Sequence, residues 1–179
     1  VNMAGTAATF RITQDQLLGL AASFASVKLN TELSGTALRR VFVQIEDAAT
    51  SGGQKLAMFA KVAGMSSQEF ANIAKTSMAD AFTAFVVGIG KMQASGQQVI
   101  PVLKEIGLGE QRVTQLITQT GGGYKVLAES MATAKQEMTG TSAINDEVAK
   151  KMETTQSAVS MLRNSLELLA VKISTTFIL

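Results

Sequence analysis

The side chains best placed by type to do acid–base chemistry in this sequence are four carboxylates, Asp80, Glu105, Glu110 and Glu129. Two of them together could serve as general acid and general base if their surroundings drove the two pKa values apart. Their positions favour a plainer role. Asp80 and Glu110 fall in the first turns of expected helices, where a negative charge stabilises the helix dipole. The chain contains no His and no Cys. That removes the commonest general base near neutral pH, thiolate nucleophiles, disulfides and the usual zinc ligands. A serine triad that needs an imidazole is excluded with them. Gly121-Gly122-Gly123 ahead of a helix could cradle a phosphate on backbone N–H groups. No strand precedes it, and Lys125 does not stand where a phosphate-binding loop has its Lys-Ser/Thr pair. We read the triplet as a flexible connector between helices. Arg39-Arg40 and Arg112 could receive an acidic partner, but they read better as solvated side chains lying over the core. Lys and Arg are scattered and the net charge is only +2, so no basic stripe for nucleic acid is present. The methionines Met58, Met65, Met78, Met92, Met131, Met138, Met152 and Met161 could build an adaptable binding surface. Most lie on expected helix faces, which makes core filling the simpler role. We assign no catalytic, cofactor-binding or metal-ligating residue.

The elements that would have to position any site are helices. Apolar residues make up 46% of the chain and charged residues 17%, with one Pro and one Tyr. Pro costs about 3 kcal/mol inside a helix and Ala nothing, so this composition suits helices. No stretch alternates at period two for long enough to predict a strand. Thr13 with Gln16 predicts a first helix, carrying Leu17, Leu20, Ala21, Phe24 and Val27 on one face. Asn30 to Gly35 should break it. A second helix is expected over about 36–50, with Leu38, Val41, Phe42, Ile45, Ala48 and Ala49 inward. A third is expected over Gln54 to Ala63, stopped by Gly64. Ser66 with Glu69 is the strongest start signal, a capping box with Met65 and Phe70 as its staple. Ser77 with Asp80 opens the next helix, in which Phe82 and Phe85 should anchor the core. Pro101 is tolerated only in the first turn of a helix over 99–106. Gly107 stops that helix, and Gly109 is the expected N-cap of the next. The last short helix should run from Tyr124 to about Thr139.

Asn145 to Phe177 is different in kind. Val148, Met152, Thr155, Val159, Leu162, Leu166, Leu169 and Ile173 follow one another in steps of four and three, a heptad seam with one polar residue, Thr155. A helix of about 30 residues would be about 45 Å long. The seam must be buried, either against the helices at 36–50 and 124–139 or against a second copy. Thr155 would then set register or oligomer state. The expected fold is thus all-α: a compact bundle of about eight short helices, then one long C-terminal heptad-patterned helix. We divide it into a loose segment 1–12, a compact domain 13–140 and a long amphipathic helix 141–179. The chain begins Val1-Asn2-Met3-Ala4, and its last residues carry no stop signal, so we expect it to be part of a longer protein. The most apolar window, 81–90, is shorter than the roughly 20 residues that span a bilayer.

Several runs resemble the conserved core region of phage tail tape-measure proteins. They are Glu32-Leu33-Ser34-Gly35-Thr36-Ala37-Leu38-Arg39-Arg40-Val41-Phe42; Met65-Ser66-Ser67-Gln68-Glu69-Phe70 with Ala81-Phe82-Thr83-Ala84-Phe85; and Val102-Leu103-Lys104-Glu105-Ile106-Gly107-Leu108 with Arg112-Val113. Leu162-Arg163-Asn164-Ser165-Leu166 resembles that family's exit into a long helix. The runs stand in the family's order and span roughly residues 13–175. The resemblance implies a structural, non-enzymatic protein in the lumen of a phage or prophage tail tube, and in the host cytoplasm during assembly. It would set tail length and leave the tail at DNA ejection. Its implied partners are the tail-tube protein, tail assembly chaperones, and distal-tail or baseplate proteins, with self-association through the 145–177 helix and contact with a host membrane. Neither cofactor nor specific nucleic-acid binding is implied. Some tape-measure proteins embed a peptidoglycan hydrolase, and no residue pattern here supports one. The rival class is a membrane-active helical domain of pore-forming or translocator type, favoured by a mean hydropathy of +0.22.

Overall fold

The computed structural model describes residues 8–29 and 31–139. The chain divides into two units, Val1–Gln136 and Glu137–Leu179. The heptad segment, with Thr155 and the expected packing of 145–177, lies outside the described residues. The described part is all-α, with eight helices: α1 Gln14–Ser26, α2 Thr31–Ser51, α3 Gly53–Ala63, α4 Ser67–Thr76, α5 Met78–Ala94, α6 Ile100–Glu105, α7 Gln111–Gly122 and α8 Tyr124–Thr139.

Most of these helices start and stop where local chemistry dictates. Ser66 Oγ accepts from the Glu69 backbone N–H at 3.3 Å, and the Ser66 N–H donates to the Glu69 carboxylate at 2.8 Å. Two donors that the first turn would otherwise leave unpaired are thereby satisfied. Ser77 ends α4 and caps α5, accepting from the Asp80 N–H at 3.2 Å. It also accepts from Gln16 Nε2 at 2.9 Å, while Gln16 Oε1 accepts from the Thr13 N–H at 3.2 Å. One glutamine thus ties the start of α1 to the start of α5 across the fold. Gly64 closes α3 in the left-handed conformation (φ 74°), and Gly96 and Gly107 do the same after α5 and α6. Pro101 sits in the first turn of α6.

Three boundaries differ from expectation. α2 begins at Thr31 and runs through Gly35, which is buried, rather than opening at Thr36. The cost of about 1 kcal/mol for a helical glycine is small beside the core contacts α2 makes. The N-cap of α7 is Glu110, in extended backbone, not Gly109. The glycine triplet is not a loop. Gly121 and Gly122 complete α7, and only Gly123 separates it from α8.

Two helices organise the core. α5 packs against α7, α3, α4 and α2, and α2 packs against α4, α7, α3, α5 and α1. Nine residues of α5 are buried, from Met78 to Gly90. They cover about 200° of its circumference at 3.6 residues per turn, twice the stripe of an ordinary surface helix. Such coverage requires neighbours on both flanks to approach closely, and glycine provides the room. A Cβ on Gly88 would lie 1.8 Å from the Val62 carbonyl oxygen of α3. A Cβ on Gly90 would lie 2.4 Å from the Gly121 carbonyl oxygen of α7. The α5–α7 contact is therefore glycine against glycine, Gly90 against Gly121.

Seven of the eight phenylalanines form two aromatic groups in the core. Phe10, Phe42, Phe82 and Phe24 meet edge-on in sequence at centroid distances of 5.1, 5.6 and 6.3 Å. Phe59 stacks on Phe70 at 5.7 Å and meets Phe85 edge-on at 4.9 Å. Both geometries are those favoured by the ring quadrupole. α5 contributes one anchor to each group, Phe82 to the first and Phe85 to the second, and both are fully buried as their spacing predicted. Phe10 lies in the segment expected to be loose, yet it is buried on Phe42. A single anchor has no period, so it could not be recognised from the sequence.

Candidate functional site

The four carboxylates singled out for acid–base chemistry do not form a pair in the structure. Glu110 takes an ion pair from Arg40 at 3.1 Å, with both side chains at least half exposed. Glu105 accepts from Gln54 Nε2 at 3.4 Å on the surface. Asp80 stands at the capped start of α5, and Glu129 is exposed on α8. Glu69 is held below its ordinary range. The Ser66 hydroxyl lowers it first and the Ser66 backbone N–H second, both by hydrogen bonds to the charged form. This is capping chemistry, not a poised catalyst. Among the described residues no three Asp or Glu side chains converge in a way that could hold a metal ion.

The remaining sequence candidates resolve similarly. Arg40 is engaged with Glu110, so α2 and the start of α7 are bridged by charge. Arg39 and Arg112 are exposed. Met78 and Met131 are buried, and Met58, Met65 and Met92 are half-buried against the core. These five therefore fill the bundle rather than form a surface. The glycine triplet is packed at Gly121, where an added Cβ would meet Gln93 Oε1 at 2.7 Å and Ile89 at 3.1 Å on α5. The large apolar side chains left exposed, Leu18, Val43, Ile100 and Val126, are drawn from four different helices.

One depression on the described surface was not among the candidates. It is a groove of about 350 Å³ where residues 9–11 cross the C-terminal ends of α2 and α4. Arg11, Glu46 and Lys75 line it, with Phe10 and Met78 beside them. None of the three charged side chains makes an ion pair among the described residues. Arg11 holds φ 54°, a left-handed backbone uncommon for anything but Gly, Asn or Asp. A sequence signal for the groove does not exist, because its walls come from three stretches separated by 20 or more residues.

No protein-family model, curated protein or solved structure matches this chain.

Proposed function

We propose that this chain is part of a phage tail tape-measure protein, a structural component that sets tail length during assembly. The observation that carries the reading is the order of the tape-measure-like runs along one chain. Their places in the fold support it. Glu32–Phe42 enters α2, and Met65–Phe70 is the capped start of α4. Ala81–Phe85 is the centre of α5, Val102–Leu108 is α6 with its stop, and Arg112-Val113 opens α7. Each run is therefore a fold-determining stretch of an all-α unit, as a structural protein requires. In this reading the unit is a folded station on a longer helical chain, and the heptad pattern of 145–177 is where that chain continues as a rod or pairs with a second copy. Its partners are the tail-tube protein, assembly chaperones and the distal-tail or baseplate initiator, and its place is the tail lumen. No enzymatic role is proposed.

The test is genetic and microscopic. Disrupting the gene in the phage or prophage that encodes it should abolish tails of defined length, and full-length tails from the disrupted strain would sink the reading. An in-frame deletion of 13–140 separates a station from a ruler. A station predicts loss of infectivity beyond any shortening. Fully infectious tails, shortened by about 1.5 Å per deleted residue, would make the unit mere ruler.

The membrane-active alternative draws on α5, which has no charged residue between Ala81 and Gly90. No described helix is long and apolar enough to cross a membrane. Dye release from anionic liposomes by the folded protein would favour this alternative over a tail component.

A further inference from the structure

We propose that α8 is a hinged strap: it swings off the bundle about Gly123 and, when open, joins α7 in one continuous helix.

A single residue stands between the two helices. Gly123 has φ −97° and ψ 24°, about 35° in φ and about 65° in ψ from helical values. No backbone hydrogen bond joins the N–H groups of Tyr124, Lys125 and Val126 to the carbonyls of Thr120, Gly121 and Gly122. Turning Gly123 into the helical region would form those bonds. It would also merge α7 with α8 into a helix about 44 Å long at 1.5 Å per residue. The bend is therefore unfavourable for the backbone, and packing must offset it. Space at the bend favours glycine, because a Cβ on Gly123 would lie 2.6 Å from Cγ1 of Val27, the C-cap of α1.

The packing that holds α8 down is thin. α5 buries nine residues, whereas between Tyr124 and Gln136 only Leu127 and Met131 are buried. Tyr124, Ser130 and Ala134 are half-buried, and the rest of that stretch is exposed. α1 meets α8 at Gly19, where a Cβ would lie 2.9 Å from Met131 Sδ and 3.4 Å from Ala134 Cβ. Val27 meets the start of α8 at Gly123. Ser23 stands midway between Gly19 and Val27 and shares their face of α1. Its hydroxyl is buried without a hydrogen-bond partner, and so is that of Thr120 in the last turn of α7. A buried unpaired hydroxyl weakens the state that buries it, and opening would give both of them water. Few buried apolar contacts, unpaired polar groups at the seam and a glycine pivot are the properties of a segment that opens well below the global unfolding free energy.

The test uses the full chain, which has no cysteine of its own. Thiol labelling compares Met131→Cys, on the inner face of α8, with Ala81→Cys, in the core of α5. Met131→Cys should react about tenfold faster or more, with a shallow denaturant dependence, because a swinging helix exposes little surface. Ala81→Cys should react only on global unfolding, with a steep dependence. Ala is favoured over Gly in a helix by about fivefold, and its Cβ crowds Val27 in the closed form. Gly123→Ala should therefore speed Met131→Cys labelling by about fivefold or more. In that variant, spin labels at the exposed positions Leu18 and Thr133 should move apart by on the order of 15 Å, with helix content by circular dichroism unchanged or raised. Gly122→Ala, with nothing within 4 Å of its Cβ, should change neither readout. If Gly123→Ala fails to fold, labelling of the two cysteine variants with Gly123 intact decides the matter. Equal rates and equal denaturant slopes for those two, an unchanged spin-label distance in folded Gly123→Ala, or opening accompanied by loss of helix would each overturn the proposal.

Discussion

Replacing Gly88 by Ala tests the described glycine at which an added carbon would meet the shortest contact. On helix propensity alone the change should stabilise α5 by about 1 kcal/mol, because Ala is the best helix former and Gly is poor. The packing says the opposite. The added carbon would lie 1.8 Å from the Val62 carbonyl oxygen, 2.6 Å from the Val62 carbonyl carbon and 3.2 Å from the Ala63 nitrogen. All three are backbone atoms, so no side chain can rotate away. Relief requires α3 and α5 to separate by roughly 1.5 Å, which loosens dispersion contacts along both helices. Overpacking commonly costs 1–3 kcal/mol, and a clash with backbone belongs at the top of that range or above it. After the propensity gain the net loss should be about 2–3 kcal/mol. For a unit of this size that is a fall in Tm of about 8–12 °C. Gly122→Ala is the internal control: it is helical, exposed, and a Cβ there meets nothing within 4 Å. Thermal unfolding of the full chain by circular dichroism should show Gly122→Ala unchanged or slightly stabilised, with Gly88→Ala well below wild type. An equal or higher Tm for Gly88→Ala would refute the close α3–α5 approach and the reason given for glycine there.

The other predictions concern single sites. Lys28 closes α1 at φ 55°, where its N–H and that of Leu29 return to the Ala25 and Phe24 carbonyls at 3.1 and 3.0 Å. Lys28→Gly keeps both bonds and removes the left-handed penalty, so it should stabilise by about 0.5–1 kcal/mol, and a lowered Tm would contradict the cap assignment. Glu69 is held below its ordinary value of 4.5 in the folded state, so its contribution is fully present at neutral pH and is lost as the pH falls below 4.5 and through the lowered folded-state pKa. Wild type should therefore lose its stability advantage over Glu69→Gln in denaturant titrations as the pH drops below 4.5, and parallel pH profiles for the two proteins would dispose of the coupling. The Arg40–Glu110 pair is more than half solvent-exposed on average. Glu110→Gln should change stability by no more than about 0.5 kcal/mol and lose even that in 0.5 M salt. A loss several times larger would show that the pair holds α7 onto α2.

The sequence by itself determined the class of the fold and most of its punctuation. Ser66 with Glu69, Ser77 with Asp80, Gly64, Gly107 and Pro101 marked helix ends correctly, because capping and backbone conformation are decided within about four residues. Phe82 and Phe85 were legible as anchors because a helical period names its inward face. Tertiary structure alone decided the rest. It made Gly121 a packing surface for Gly90 rather than part of a connector, carried α2 through Gly35, and buried Phe10 from a stretch without any period. It also brought Arg11, Glu46 and Lys75 to one groove. Each of these depends on atoms from residues far apart in the chain, and a contact between distant residues leaves no trace in the local spacing of either one.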